Sequence, residues 1–271
     1  MTLSLSLPEY LVTATNTGHG SDNKIHDDEV AKRFGFIGAL VPGVDVYAYM
    51  VHAPVSHWGI EWLEHGYMHL RLNKPVYEGD KTFVNGLLKN DDTMFVTAGT
   101  GRGLCSEGSA LLRPDCDPSR IVLKRAALPN PVERPSADKK TLRVGTTLGS
   151  RDECAPEKEY SAYLSSVHEH LPIYGDEKVV HPGYLLRRAN LILRENVLLG
   201  PWIHVESWVW NLRTLSTDES LTTRAVVTDN FERKGHSFVD LDISLLAGDT
   251  DPVARIKHRS IYLPRQLRDD A

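Results

Sequence analysis

Apolar and polar residues alternate in short runs along most of the chain, and two longer stretches break that rhythm with helical spacing. The first begins at about Val44, just after Gly43, and carries Tyr47, Tyr49, His52, His57, Trp58 and Trp62, so that one face must pack against a sheet. The second follows His181-Pro182-Gly183 and reads Tyr184-Leu-Leu-Arg-Arg-Ala-Asn-Leu-Ile-Leu-Arg. Val41-Pro42-Gly43 stands before the first helix as His181-Pro182-Gly183 stands before the second, a weak internal repeat.

After each helix the period changes to two. Residues 68–84 and 207–223 both read as strand, acidic turn, strand. Further strands are predicted over residues 93–98, 221–228, 237–246 and 253–262, with Arg233-Lys234-Gly235 and Ala247-Gly248-Asp249 as hairpin turns. The alternation in residues 1–10 predicts a first strand. One helix followed by antiparallel strands, twice over, is an α+β arrangement in which each sheet wraps its own helix. Pro114, Pro118, Pro129, Pro131 and Pro135 punctuate a polar stretch between the repeats. This divides the chain into a unit at 1–125, a linker at 126–141 and a unit at 142–271.

Composition narrows the function. A length of 271 residues with 41% hydrophobic content is ample for two packed units. A formal charge of -5 without a lysine or arginine run argues against nucleic acid or another polyanion as partner. The segment 44–63 carries Asp45, His52, His57 and Glu61, so no membrane span is predicted, and the start lacks the features of a secretory signal. Cys105, Cys116 and Cys154 are an odd number without Cys-x-x-Cys spacing; the expectation is a soluble protein of the reducing cytoplasm. No dinucleotide fingerprint, Walker loop or Gly-x-Ser-x-Gly elbow occurs, which argues against nucleotide-dependent redox chemistry, NTP hydrolysis and an α/β-hydrolase.

Chemistry concentrates in residues 22–50. Asp22, Asn23 and His26 cluster on a predicted turn, residues 31–36 make a short helical or irregular passage, and Gly38 and Gly43 loosen the backbone around Leu40-Val41-Pro42. His26 is the leading acid–base candidate because imidazole titrates near neutrality. A helix opening at Gly43 would turn unpaired amides toward a substrate oxygen. Asp27 and Asp28 read as first-turn acids stabilised by the helix dipole. His168, Glu169 and His170 have a His-x-His look but no further ligand cluster, and a solvated turn near Pro172 is expected.

At these residues the chain resembles the MaoC-like acyl dehydratases and (R)-specific enoyl-CoA hydratases. Their signature runs Asp-x-Asn-Pro-(Ile/Leu/Val)-His-x-Asp, then Ala-x-x-x-Gly-Phe, then a helix-opening Gly. Asn23, Ile25, His26, Ala31, Gly35, Phe36 and Gly43 fall within one residue of that pattern, with Lys24 in place of the proline. Asp22 stands four residues before His26, and registration on His26 places Ser21 where the family has its aspartate.

The resemblance implies a double hot-dog fold, with the two sheets joined edge to edge and the catalytic motif missing from the second half. It implies a lyase acting on an enoyl or 3-hydroxyacyl thioester, with coenzyme A entering only as part of the substrate and no cofactor required. His26 and Asp22 would handle protons, Asn23 would align water or a carbonyl, and the Gly43 amide would polarise the thioester. Tyr47 and Trp58 are candidates for shaping a pocket for a rigid or ring-containing acyl chain. His181 and Arg187 would come beside the site from the second half, and a homodimer of such chains is expected. Three other readings stay open: a hot-dog thioesterase with a carboxylate such as Asp22 activating water; a related lyase, isomerase or cyclase on a non-thioester small molecule; and a non-catalytic binding subunit.

Overall fold

The computed structural model describes residues 5–115, 120–154, 157–176 and 178–267, so Cys116, Pro118 and the first four residues of the predicted N-terminal strand lie outside it. In chain order the first half contains β1 (Leu5–Ser6), β2 (Tyr10–Thr13), α1 (Asp28–Arg33), α2 (Gly43–Trp58), α3 (Ile60–His65), β3 (Gly66–Leu72), β4 (Lys81–Asn90), β5 (Thr93–Thr100) and β6 (Gly103–Leu112). Then follow β7 (Arg151–Cys154), α4 (Glu157–Ser166), α5 (Pro172–Asp176), α6 (Pro182–Asn196), β8 (Ile203–Asn211), β9 (Ser220–Arg233), β10 (His236–Ala247) and β11 (Asp251–Leu263).

Both apolar runs are central helices. α2 buries Val44, Val46, Tyr47, Met50 and Val51 on different sides, and a helix apolar nearly all round must be enclosed. The hairpins β3 to β6 enclose it. Burial alternates residue by residue along β5, so Met94, Val96 and Ala98 face inward and their neighbours lie less deeply. α6 is wrapped in the same way by β8 to β11, where Ala254, Ile256, His258 and Ser260 point inward. This is the double hot-dog arrangement, α+β in class. Residues 121–150 run irregularly along the second sheet, with Leu148 N–H donating to Ala225 O at 2.9 Å and Ala137 N–H to Leu198 O at 2.9 Å.

All described strands belong to one 11-stranded antiparallel sheet, in the order β1-β4-β5-β6-β3-β8-β11-β10-β9-β7, with β2 also on β4. The halves meet at the β3–β8 seam, where Tyr67 pairs with Trp210 and His69 with Trp208. Pairing these edges removes two rows of open backbone donors and acceptors. Side chains reinforce the seam: the His69 and Trp208 rings stack at 5.0 Å, and Glu206 accepts from Arg71 at 2.9 Å and from Arg259 at 3.1 Å.

The two helices meet inside. A Cβ on Gly183 would lie 2.6 Å from Ala48 Cβ and 2.5 Å from Tyr163 Oη, so only glycine allows this approach. Arg187 on α6 donates to Asp45 on α2 through Nε (3.0 Å) and Nη2 (2.7 Å), and also to Thr17. This pair is buried on the Asp45 side and binds the halves together.

The turn at residues 168–170 differs from the expectation of a solvated loop. Glu169 is buried, accepts from the His170 and Leu171 amides, and faces His52 Nδ1 at 3.2 Å and His181 Nε2 at 3.8 Å. Burial alone would raise its pKa, but the neighbouring His181 and His52 outweigh that and hold the carboxyl well below its usual range. The partner that draws it inward is on α2, 117 residues away in sequence, beyond what a local pattern can register. No helix among the described residues is long and apolar enough to cross a membrane, and no cluster of three or more His, Cys, Asp or Glu there could hold a metal ion.

Candidate active site

The loop before α2 is built by its own polar side chains. Asn23 caps a short 3-10 turn over Lys24–His26, and Asp27 caps α1 by accepting from the Glu29 and Val30 amides at 3.1 and 3.2 Å. Asp28 accepts the Ala39 amide at 2.7 Å, which folds the glycine-containing turn back over α1. Val41 N–H then donates to Val76 O at 2.8 Å and fixes the entry into α2.

Asn23 also clips the loop to the second half. Its Oδ1 accepts the Trp202 amide at 3.1 Å and its Nδ2 donates to the Trp202 carbonyl at 3.0 Å. The remaining Nδ2 hydrogen points to His26 Nε2 at 3.3 Å. On the other side of the ring, His26 Nδ1 lies 2.7 Å from the Leu40 carbonyl, which can only accept. The two neighbours assign one tautomer: Nδ1 carries the proton and Nε2 carries the lone pair. Burial pushes the His26 pKa below its ordinary value, against the opposing pull of the Leu40 carbonyl and Asp45. The imidazole is therefore neutral near pH 7 and able to accept a proton at Nε2.

His26 opens onto a cleft of about 210 Å³. Apolar side chains dominate its lining, among them Ile25, Phe36, Leu40, Val46 and Leu72; the polar ones are Asn23, His26, Asn73, Lys74, Asn190 and His204. Gly43 lines it at the first turn of α2. The Asp45 and Val46 amides donate to Pro42 O, so among the described residues the Gly43 and Val44 amides are the unmatched donors of the helix start. Among the described residues no carboxylate is part of the lining.

Among the residues singled out from sequence, the structure brings Asn23, His26 and Gly43 together in this cleft. Asp22 is exposed and does not line it. Ser21 is half-buried, with Oγ 3.5 Å from Asn23 O, and does not line it either. Tyr47 is fully buried in the core of α2, and Trp58 at the end of that helix donates Nε1–H to Asp91 O at 3.0 Å; neither reaches the cleft. His181 is buried as the cap of α6, accepting the Gly183 amide at 2.9 Å, and Arg187 is engaged by Asp45. The second half contributes other residues: Asn190 from α6, and Trp202, Ile203, His204 and Val205 at the start of β8. A histidine between Ile203 and Val205, and an asparagine inside the apolar stripe of α6, were the available cues.

No family model and no curated protein sequence matches the chain. Solved structures do resemble it in shape. A MaoC-like dehydratase aligns with TM-score 0.65 at 10% identity, covering 97% of this chain and 98% of that one. A conserved hypothetical protein of Mycobacterium tuberculosis with a double hotdog fold aligns with TM-score 0.61 at 14% identity, covering 96% of each chain. A Thermobifida fusca YX protein provisionally assigned as a thioesterase II aligns with TM-score 0.55 at 12% identity, covering 96% of this chain and 93% of that one. Over its whole described length, the chain has the double hot-dog fold that MaoC-like dehydratases share with other proteins.

Proposed function

We propose that the protein is a hydro-lyase that adds water to, or removes it from, an acyl thioester, with His26 as the acid–base group and the Gly43 amide as the donor to the thioester oxygen. The observation that carries this reading is the pairing of a neutral imidazole, its Nδ1–H committed to Leu40, with an unmatched helix-start amide in one apolar cleft. In the hydration direction, water takes the place of the long Asn23 contact at His26 Nε2 and gives that nitrogen a proton as its oxygen joins the β-carbon. Electron density moves onto the thioester oxygen, where the amide and the positive end of α2 stabilise it. The same proton then passes from His26 to the α-carbon, so the enzyme ends as it began. Coenzyme A is the expected carrier, as part of the substrate.

A thioesterase mechanism with a carboxylate base fits less well, because Asp22 is exposed and the cleft lining has no carboxylate. The test is His26→Ala assayed with crotonyl-CoA, following enoyl absorbance and thiol release in parallel. A fall of about 10²- to 10⁴-fold in hydration is expected in a protein that stays folded, since the lost Leu40 hydrogen bond costs only about 1–3 kcal/mol of stability. Thiol release without loss of enoyl absorbance would replace the reading with hydrolysis, and wild-type activity in the variant would remove His26 from the chemistry.

A further inference from the structure

Two side-chain atoms of the cleft lining are buried without a hydrogen-bond partner: His204 Nδ1 and Asn190 Oδ1. Buried polar atoms are almost always paired, so orphans on residues that line a cleft point to a ligand or water. His204 is 6% exposed, and its ring sits over the start of α2: a Cβ on Gly43 would lie 2.8 Å from His204 Nδ1. The unpaired nitrogen thus stands over Gly43, the residue whose amide is assigned to the thioester oxygen.

The other edge of the ring is committed. His204 Nε2 lies 2.8 Å from Ser207 Oγ, and Ser207 Oγ lies 2.9 Å from His258 Nδ1. A shift in the β8–β11 register between Arg259 and Ser260 brings His204 onto the same inner face as Ser207, while Ser207 pairs directly with His258. The two imidazoles stack with centroids 4.3 Å apart. Burial pushes the His204 pKa down to about 3, and that of His258 well below its ordinary value, so both rings are neutral. A serine hydroxyl has one proton to give. When it gives that proton to His258 Nδ1, its oxygen accepts from His204 Nε2–H, and His204 Nδ1 is left as an acceptor on the side of the ring that faces Gly43.

Resting on the hydro-lyase reading above, we propose that His204, with Asn190 beside it in the lining, is the second polar contact to the reacting oxygen, the place for which Asp22 was the sequence candidate. His204 Nδ1 accepts the O–H hydrogen of water, or of the substrate's 3-hydroxyl, that His26 does not take. It neither gains nor loses a proton in the cycle. Ser207 and His258 are positioning residues that set its tautomer. The active site is then completed by the second half, and the substrate class is one whose hydroxyl lies in the cleft, as in a 3-hydroxyacyl thioester, rather than a plain saturated acyl chain.

The test compares binding of 3-hydroxybutyryl-CoA and butyryl-CoA to the full-length protein by calorimetry. The wild type is expected to favour the hydroxylated thioester by roughly tenfold, the scale of one well-made hydrogen bond. His204→Leu should remove that preference, bringing the ratio of the two affinities to about one. Because His204 is buried, a second variant keeps the test open if this one misfolds. Ser207→Ala retains the ring but releases its tautomer; it should reduce the preference and convert a single imidazole ¹⁵N pattern, with Nδ1 unprotonated, into a mixture of two. If a folded His204→Leu protein keeps the wild-type preference, or if the wild-type ring carries its proton on Nδ1, the proposal is overturned while the hydro-lyase reading stands. If neither thioester binds the wild type, that reading falls and the proposal with it.

Discussion

Gly43→Ala adds one methyl group where the structure leaves it no room. The new Cβ would stand 2.3 Å from Leu72 Cδ1, 2.8 Å from His204 Nδ1 and 3.3 Å from His204 Cγ. The two obstacles differ in kind. Leu72 Cδ1 is the tip of a flexible, half-buried side chain and can rotate away. His204 is held at Nε2 by Ser207, stacked on His258 and almost fully buried, so it can yield only by disturbing that chain. Overpacking of this sort costs about 1–3 kcal/mol. Alanine offsets part of this, since it is better than glycine within a helix by up to about 1 kcal/mol, and less at a first-turn position. A net loss of roughly 1–2 kcal/mol is expected from these opposing effects. Urea unfolding should show a lower midpoint at unchanged slope. Leu72→Ala should rescue little of the loss in a double-mutant cycle, because the rigid obstacle is the imidazole. If Gly43→Ala is as stable as the wild type, His204 is not fixed over the helix start, and the picture of two histidines facing one cleft fails.

Other expectations follow from the same contacts. Asn23→Ala strands the buried Trp202 amide and carbonyl, at about 1–3 kcal/mol for each group left unpaired, and should lower the urea midpoint sharply; a surface-like effect would show that the loop is not clipped to the second half. The pKa values of His26, His181, His204 and His258 all lie below 6.5 in the folded state. Below pH 6.5 the unfolded chain binds more protons than the folded one, so stability should fall on acidification, by up to about 1.4 kcal/mol per pH unit for each group in its window. Glu169, lowered from 4.5, erodes stability in the same direction below that pH, and a urea midpoint that stays flat from neutrality to pH 5 would contradict the four neutral imidazoles. In hydration assays His26→Ala should show its loss in kcat, whereas Asp22→Asn should leave kcat near that of the wild type because Asp22 is exposed outside the cleft; an equal loss in both would return the aspartate to the mechanism.

The halves of this chain were legible in its pattern because hydrophobic periodicity is a local property. The run from Val44 and the run from Tyr184 announce helices that must be enclosed, and the period-two segments after each supply the strands that enclose them. The turn carrying Asn23 and His26 was also readable, since capping residues and glycines act on their immediate neighbours. What the pattern does not hold is which side chains meet across the seam. Asn190 and His204 reach the His26 cleft only because β3 pairs with β8 and α6 lies against α2. Glu169 is drawn into the interior by His52 for the same reason, and Asp22, next to Asn23 in sequence, is left outside. Sequence by itself determined the two central helices, most of the strands around them, the class of fold and one half of the cleft. The tertiary structure decided the other half, because burial and hydrogen-bond partnership depend on contacts between residues far apart in the chain, and no local spacing encodes them.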